Sequence, residues 1–130
     1  MQPSVLIVED AETCASILEI LFSSIPHLKI ITAPNADRAW ALVEKEPDGL
    51  RAIVTDLNMP GMDGLEFIER VRSHRLHARV PIIVITGSTD PDMSEQARTR
   101  GANAVFMKPY SPARVREKLE ELLNDNIQLN

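Results

Sequence analysis

The sequence predicts an α/β domain, a doubly wound five-stranded parallel sheet with helices on both faces. Three observations lead there. Short apolar runs rich in β-branched residues alternate five times with longer amphipathic segments. The runs are continuous rather than alternating, as in strands buried on both faces. Proline and N-capping residues punctuate the boundaries at Pro26, Asn35, Pro47 and Asp90-Pro91.

The first strand is "SVLIVE" (4–9), followed by a helix with Ile17, Leu18, Leu21, Phe22 and Ile25 on one apolar stripe, ended by Pro26. "LKIITA" (28–33) is the second strand. Asn35 then caps a helix that buries Ala36, Ala39, Trp40 and Val43 and stops at Pro47. "RAIVT" (51–55) is the third strand, and Leu65, Ile68 and Val71 mark a helix over about 64–74. "PIIVIT" (81–86) is the fourth. Asp90 and Pro91 are N-cap and first position of a helix to about Arg100, weakly anchored by Met93 and Ala97. "AVFM" (104–107) is the fifth strand, and Ser111-Pro112 opens a last helix with Val115, Leu119, Leu122 and Leu123 on one face. Residues 1–123 form one domain, and 124–130 read as a polar C-terminal tail or linker stub.

Composition narrows the function. With 44% hydrophobic and 25% charged residues the chain is globular, and no apolar run is long enough to span a bilayer. The N-terminus lacks the basic region of a signal peptide, so a cytoplasmic protein is expected. A net charge of −5 with scattered basic residues argues against direct nucleic-acid binding. Cys14 is the single cysteine and reads as a buried, inert thiol. His74 and His77 read as two solvated histidines, because no carboxylate or cysteine accompanies them at metal-ligand spacing.

Ligands of such sheets sit beyond the carboxyl ends of the strands. There the sequence places Glu9 and Asp10 after strand 1, Asp56 at the end of strand 3, Thr86 at the end of strand 4 and Lys108 after strand 5. Three carboxylates within about 5 Å repel by roughly 3 kcal/mol per pair at an effective dielectric near 20. One lysine leaves an excess of negative charge that a divalent cation with oxygen ligands, Mg²⁺, would neutralise. The cluster reads as a metal-assisted phosphoryl-transfer site in which one carboxylate is the nucleophile.

"VLIVED", "DLNMPGMDG", "VITG" and "GANAVFMKPY", in this order, resemble the receiver domain of two-component response regulators, similar to the single-domain chemotaxis type. The resemblance covers nearly the whole chain. It implies a flavodoxin-like fold with strand order 2-1-3-4-5, and Asp56 as phosphoacceptor. Glu9 and Asp10 would hold Mg²⁺ with Asp56 and the backbone carbonyl of Asn58. Lys108 would contact the acceptor and later a phosphoryl oxygen, aimed by a cis peptide before Pro109, and Thr86 would move its hydroxyl to the phosphoryl group. Gly87 would leave access open, while Pro60, Gly61 and Gly64 shape the loop. The donor would be a sensor histidine kinase, a phosphotransfer protein or a small acyl phosphate. The face made by helix 4, strand 5 and helix 5 would meet a downstream effector or a second copy. The domain would be no enzyme beyond its own phosphorylation and dephosphorylation. One position departs from the family: the aromatic residue three places before the lysine is Val105 here, and Phe106 faces the other side of the strand.

Other readings fit less well. "DLNMPG" begins like a calcium loop, but Pro60 and Phe67 occupy ligand positions. A haloacid-dehalogenase-like phosphatase would need an acid at position 58, where Asn58 stands. A flavodoxin-like cofactor binder would not place Glu9 and Asp10 where phosphate binds. A receiver-like interaction module that takes no phosphate is the remaining alternative.

Overall fold

In the computed structural model, residues 2–45, 49–59 and 61–128 are described, and Pro47 and Pro60 lie outside them. Val5, Leu6, Ile7 and Val8 are at most 1% exposed, which requires cover on both faces of the strand they form. That strand, β1 (Ser4–Val8), is followed by α1 (Glu12–Ser23), β2 (Lys29–Ala33), α2 (Ala36–Lys45), β3 (Leu50–Thr55) and α3 (Gly64–Ser73). The chain continues as β4 (Ile82–Thr86), α4 (Pro91–Thr99), β5 (Ala104–Met107) and α5 (Pro112–Gln128). The strands form one parallel sheet in the order β2-β1-β3-β4-β5, as expected.

Alternation along the strands separates two cores. Leu6, Val8, Ile53, Ile82 and Val84 pack with Ala36, Ala39 and Val43 of α2, Phe67, Ile68 and Val71 of α3, and Ala97 of α4. Val5, Ile7, Ala52, Val54, Ile83 and Ile85 pack with Leu18 and Phe22 of α1 and Val115 and Leu119 of α5. Helices α2, α3 and α4 thus cover one face, and α1 and α5 the other. The chain reverses its direction of winding between β1 and β3, and the crevice this opens holds the residues of interest.

Several local expectations need correction. Ile17 is 48% exposed, because it lies about 100° round the helix from Leu18 and outside the stripe of Leu18, Leu21 and Phe22. Phe67 is fully buried although the sequence reading did not single it out; it lies on the same stripe as Ile68 and Val71, the face of α3 turned to the core between α2 and α4. His77 is buried, and its ring stacks on His74 with centroids 4.9 Å apart, so the pair is not simply solvated. The turn after α3 folds back, with His77 N–H donating to the His74 carbonyl. Cys14 is partly exposed. Helix α5 runs on to Gln128, with neither glycine nor proline to interrupt 113–130. Residues 129 and 130 lie outside the described residues.

Asp90 accepts a hydrogen bond from Asp92 N–H at 2.9 Å and Pro91 opens α4, as the capping pattern predicts. Of the anchors of α4, Ala97 is buried and Met93 partly so, and Ser94 adds a third. No helix among the described residues is long and apolar enough to cross a membrane.

At the amino-terminal edge of the sheet, Arg72 acts as a tie that the sequence did not reveal. Its guanidinium donates to the carbonyls of Gly101 (2.7 Å), Val80 (2.6 Å) and Ala78 (3.2 Å) and to Asn103 Oδ1 (3.0 Å). Gly101 has φ +117°, and an added Cβ would lie 2.7 Å from Arg72 Nε.

Candidate functional site

β1 and β3 are neighbours, with Val8 opposite Thr55, so the residues that follow each strand emerge side by side. Asp56 N–H extends the ladder to the Val8 carbonyl (3.1 Å), and Glu9 N–H bonds the Ala33 carbonyl on β2 (3.1 Å). Both side chains are therefore aimed by sheet backbone. Glu9 is 5% and Asp56 7% exposed, whereas Asp10 is exposed.

Each buried carboxylate has defined partners. Asp56 Oδ1 accepts from the N–H groups of Leu57 (2.6 Å) and Asn58 (3.2 Å), which locks the Asn58 peptide to the Asp56 side chain. Asp56 Oδ2 accepts from Lys108 Nζ at 3.1 Å. Glu9 Oε1 accepts from the same Nζ at 2.9 Å, and Oε2 from Ala11 N–H at 3.1 Å. Lys108 comes from the far side of β4. Its own N–H bonds the Thr86 carbonyl (2.8 Å), a cis peptide joins it to Pro109, and its side chain reaches across the end of β4.

The electrostatics follow from burial and pairing. Burial raises the Glu9 carboxyl above its usual range, opposed by the hydrogen bonds from Lys108 and Ala11 and reinforced by Asp10 and Asp56. Burial alone would lower the Lys108 ammonium, but Glu9 and Asp56 outweigh it and leave the group raised. The site thus holds more negative charge than its one lysine balances.

One oxygen from each of Glu9, Asp10 and Asp56 lies within 4.8 Å of the others. Three hard oxygen donors this close together fit Mg²⁺. The expected fourth contributor, Asn58, has an exposed side chain and adjoins Asp56 through its backbone. Thr86 is fully buried, and its Oγ1 accepts from Ser88 N–H at 3.1 Å, which ties the hydroxyl to the loop leading into α4. A Cβ on Gly87 would meet nothing within 4 Å, so the approach beside Thr86 is open.

Position and packing also explain the loop after β3. Gly64 admits no side chain: a Cβ there would lie 2.6 Å from both the Asp56 carbonyl oxygen and Leu57 Cα. Gly61 adopts φ +85°, where glycine is favoured. Met59 and Met62 are buried in the core under α2 and α3, and Met62 N–H donates to Asp37 Oδ2 at 3.4 Å. Sequence reasoning missed these anchors; two methionines in an otherwise polar turn were the available signal. Val105 packs towards the core under α2, α3 and α4 while Phe106 packs towards α1 and α5, as alternation requires. Phe106 is only partly buried because β5 is an edge strand.

Residues 5–120 match the family described as the response regulator receiver domain. The chain belongs to that family. This receiver domain is 32% identical over 118 residues to a chemotaxis protein CheY homolog of Campylobacter jejuni, covering 91% of this chain and 90% of the relative. It is 31% identical over 121 residues to chemotaxis protein CheY1 of Helicobacter pylori, covering 93% and 97%. Chemotaxis response regulator CheY4 of Vibrio cholerae superimposes with a TM-score of 0.82 at 25% identity, covering 94% of this chain and 99% of that one. The chain is therefore a CheY-like receiver domain of two-component signalling, and its curated relatives are bacterial single-domain response regulators.

Proposed function

We propose that this receiver domain takes a phosphoryl group onto Asp56, with Mg²⁺, from the phosphohistidine of a sensor kinase or phosphotransfer protein. The observation that carries the reading is the convergence of Glu9, Asp10, Asp56 and Lys108 on one edge of the sheet from three separate strand ends. Mg²⁺, held by Glu9, Asp10, Asp56 and the Asn58 backbone, would neutralise carboxylate charge and polarise a phosphoryl oxygen.

The residues of the chain have separable tasks. Two backbone N–H groups pin Asp56 Oδ1, which leaves Oδ2, facing Lys108, to form the new bond to phosphorus. As that bond forms, the P–N bond to the donor imidazole breaks and its electron pair returns to the ring. Lys108 then follows the added negative charge to a phosphoryl oxygen. The open approach at Gly87 admits the donor.

Phosphorylation replaces a charge of about −1 at Asp56 by about −2 and adds acceptor oxygens. Thr86 Oγ1 leaves Ser88 N–H to donate to one of them, and the loop 87–90 and α4 follow. Weak anchoring of α4 makes it the element most easily biased. The surface of α4, β5 and α5 then changes for a downstream effector.

Incubation with acetyl phosphate and Mg²⁺, read by intact mass, tests this. One added phosphoryl group that Asp56→Asn abolishes is the expected result. No gain, or a gain that survives the substitution, rejects the assignment.

A further inference from the structure

Helix α3 begins beside Asp56 and carries a second concave surface on its later turns, facing α2. Trp40, the chain's single tryptophan, lies partly buried in an open bowl of about 620 Å³ bordered by Glu66, Glu69, Arg70, His74 and Arg75. The Arg70 guanidinium sits 6.0 Å from the centre of the Trp40 ring. His74 meets that ring edge-on at 5.7 Å and is backed by the buried His77. His74 Nδ1 accepts from Leu76 N–H at 3.2 Å, which fixes the orientation of the ring at the edge of the bowl.

The turn beside the bowl carries a charge opposite to that of the whole chain. The net charge is −5, yet residues 70–79 hold Arg70, Arg72, Arg75 and Arg79 and no carboxylate. Arg72 is taken up by the carbonyls it ties together. The two carboxylates of the bowl are already matched, Glu66 by Arg70 at 3.8 Å and Glu69 by Arg100. Among the described residues no carboxylate pairs with Arg75 or Arg79. Both are exposed, and Leu76 between them is 54% exposed.

We propose that the Trp40 bowl and the turn 74–79 form a docking surface for an acidic peptide segment of a partner protein. An apolar or aromatic side chain of the partner enters the bowl beside Trp40, and its flanking carboxylates meet Arg75 and Arg79. Tryptophan and arginine together are the residues most enriched where interface energy concentrates. A bowl this open encloses too little of a small molecule to serve as its pocket, since such sites bury most of the ligand. The proposal depends on neither phosphorylation nor metal binding.

Trp40 emission reads occupancy directly. The probe is the blocked peptide Glu-Glu-Phe-Glu-Glu, with Lys-Lys-Phe-Lys-Lys and sodium sulfate as controls, titrated into the full chain. The expected result is a saturable shift with the acidic peptide alone, weakened several-fold as salt rises from about 0.05 to about 0.3 M. Arg75→Glu with Arg79→Glu should weaken it at least tenfold, and Arg75→Gln with Arg79→Gln serves if charge reversal impairs folding. No saturable shift, an equal shift with the lysine peptide, or a shift indifferent to these substitutions overturns the proposal. A shift reproduced by sulfate would mean a simple anion site, and one that follows protein concentration without peptide would mean a second copy of this chain. Either overturns it too.

Discussion

Lys108 Nζ stands 2.9 Å from Glu9 Oε1, bridging residues 99 positions apart in the chain, and at 3.1 Å from Asp56 Oδ2 it joins a third strand end to the pair. Both acids are nearly buried, so this one ammonium offsets two desolvated charges. Lys108→Ala should therefore destabilise the metal-free fold by about 1–3 kcal/mol at neutral pH, less than a fully buried pair because Lys108 is partly exposed. The loss should shrink by about 1 kcal/mol in an Asp56→Asn background, where less negative charge remains to be offset. Denaturant unfolding of the four chains measures both.

Glu9 predicts a pH effect of defined sign. Burial raises its pKa in the folded state, so the folded chain binds that proton more readily than the unfolded one. Stability then falls as pH rises from the unfolded carboxylate value through the raised folded value. Without Mg²⁺, wild type should lose more stability than Glu9→Gln over that window, and denaturation midpoints at stepped pH should converge at the acid end.

Metal binding should appear as stability. A ligand that binds only the folded state adds about 2.7 kcal/mol at a hundred times its Kd. Thermal unfolding should rise with added Mg²⁺ and return after chelation with EDTA. Asp10→Asn should lose most of the rise while folding normally, since Asp10 is exposed and removal relieves repulsion.

Arg72 separates stability from site chemistry. Its hydrogen bonds join the end of α3 to the segments before β4 and β5, at the edge opposite Asp56. Arg72→Ala should cost about 2–3 kcal/mol by leaving partly buried carbonyls unpaired. Arg72→Lys should recover less than half, because an ammonium cannot span the same fork. Phosphoryl uptake from acetyl phosphate should be unchanged in both while the chain stays folded.

Output should be visible as a change in amide exchange. Phosphorylated protein, or protein with a beryllofluoride mimic of the phosphoryl group, should show altered protection across 87–110. Residues 50–55 of the central strand should not change. Identical protection throughout 87–110 would remove the α4–β5–α5 face as the output surface.

The sequence by itself determined the order of five strands and five helices, the caps at Asp90 and Pro91, and which acids, threonine and lysine end the strands. These are local properties: burial on both faces demands continuous apolar runs, and a carboxylate after such a run marks its end. Strand order came with the family resemblance, because periodicity says nothing about which strands are neighbours. Only the tertiary structure decided what meets what. Glu9 and Asp56 converge because β1 pairs with β3, and Lys108 reaches them across the end of β4. Arg72 ties together the segments before β4 and β5, His77 is buried where a solvated histidine was expected, and Met59 and Met62 anchor the turn after β3 in the core. Arg72 and the two methionines owe these roles to partners distant in the chain, and contact between distant segments leaves no period for a sequence to show.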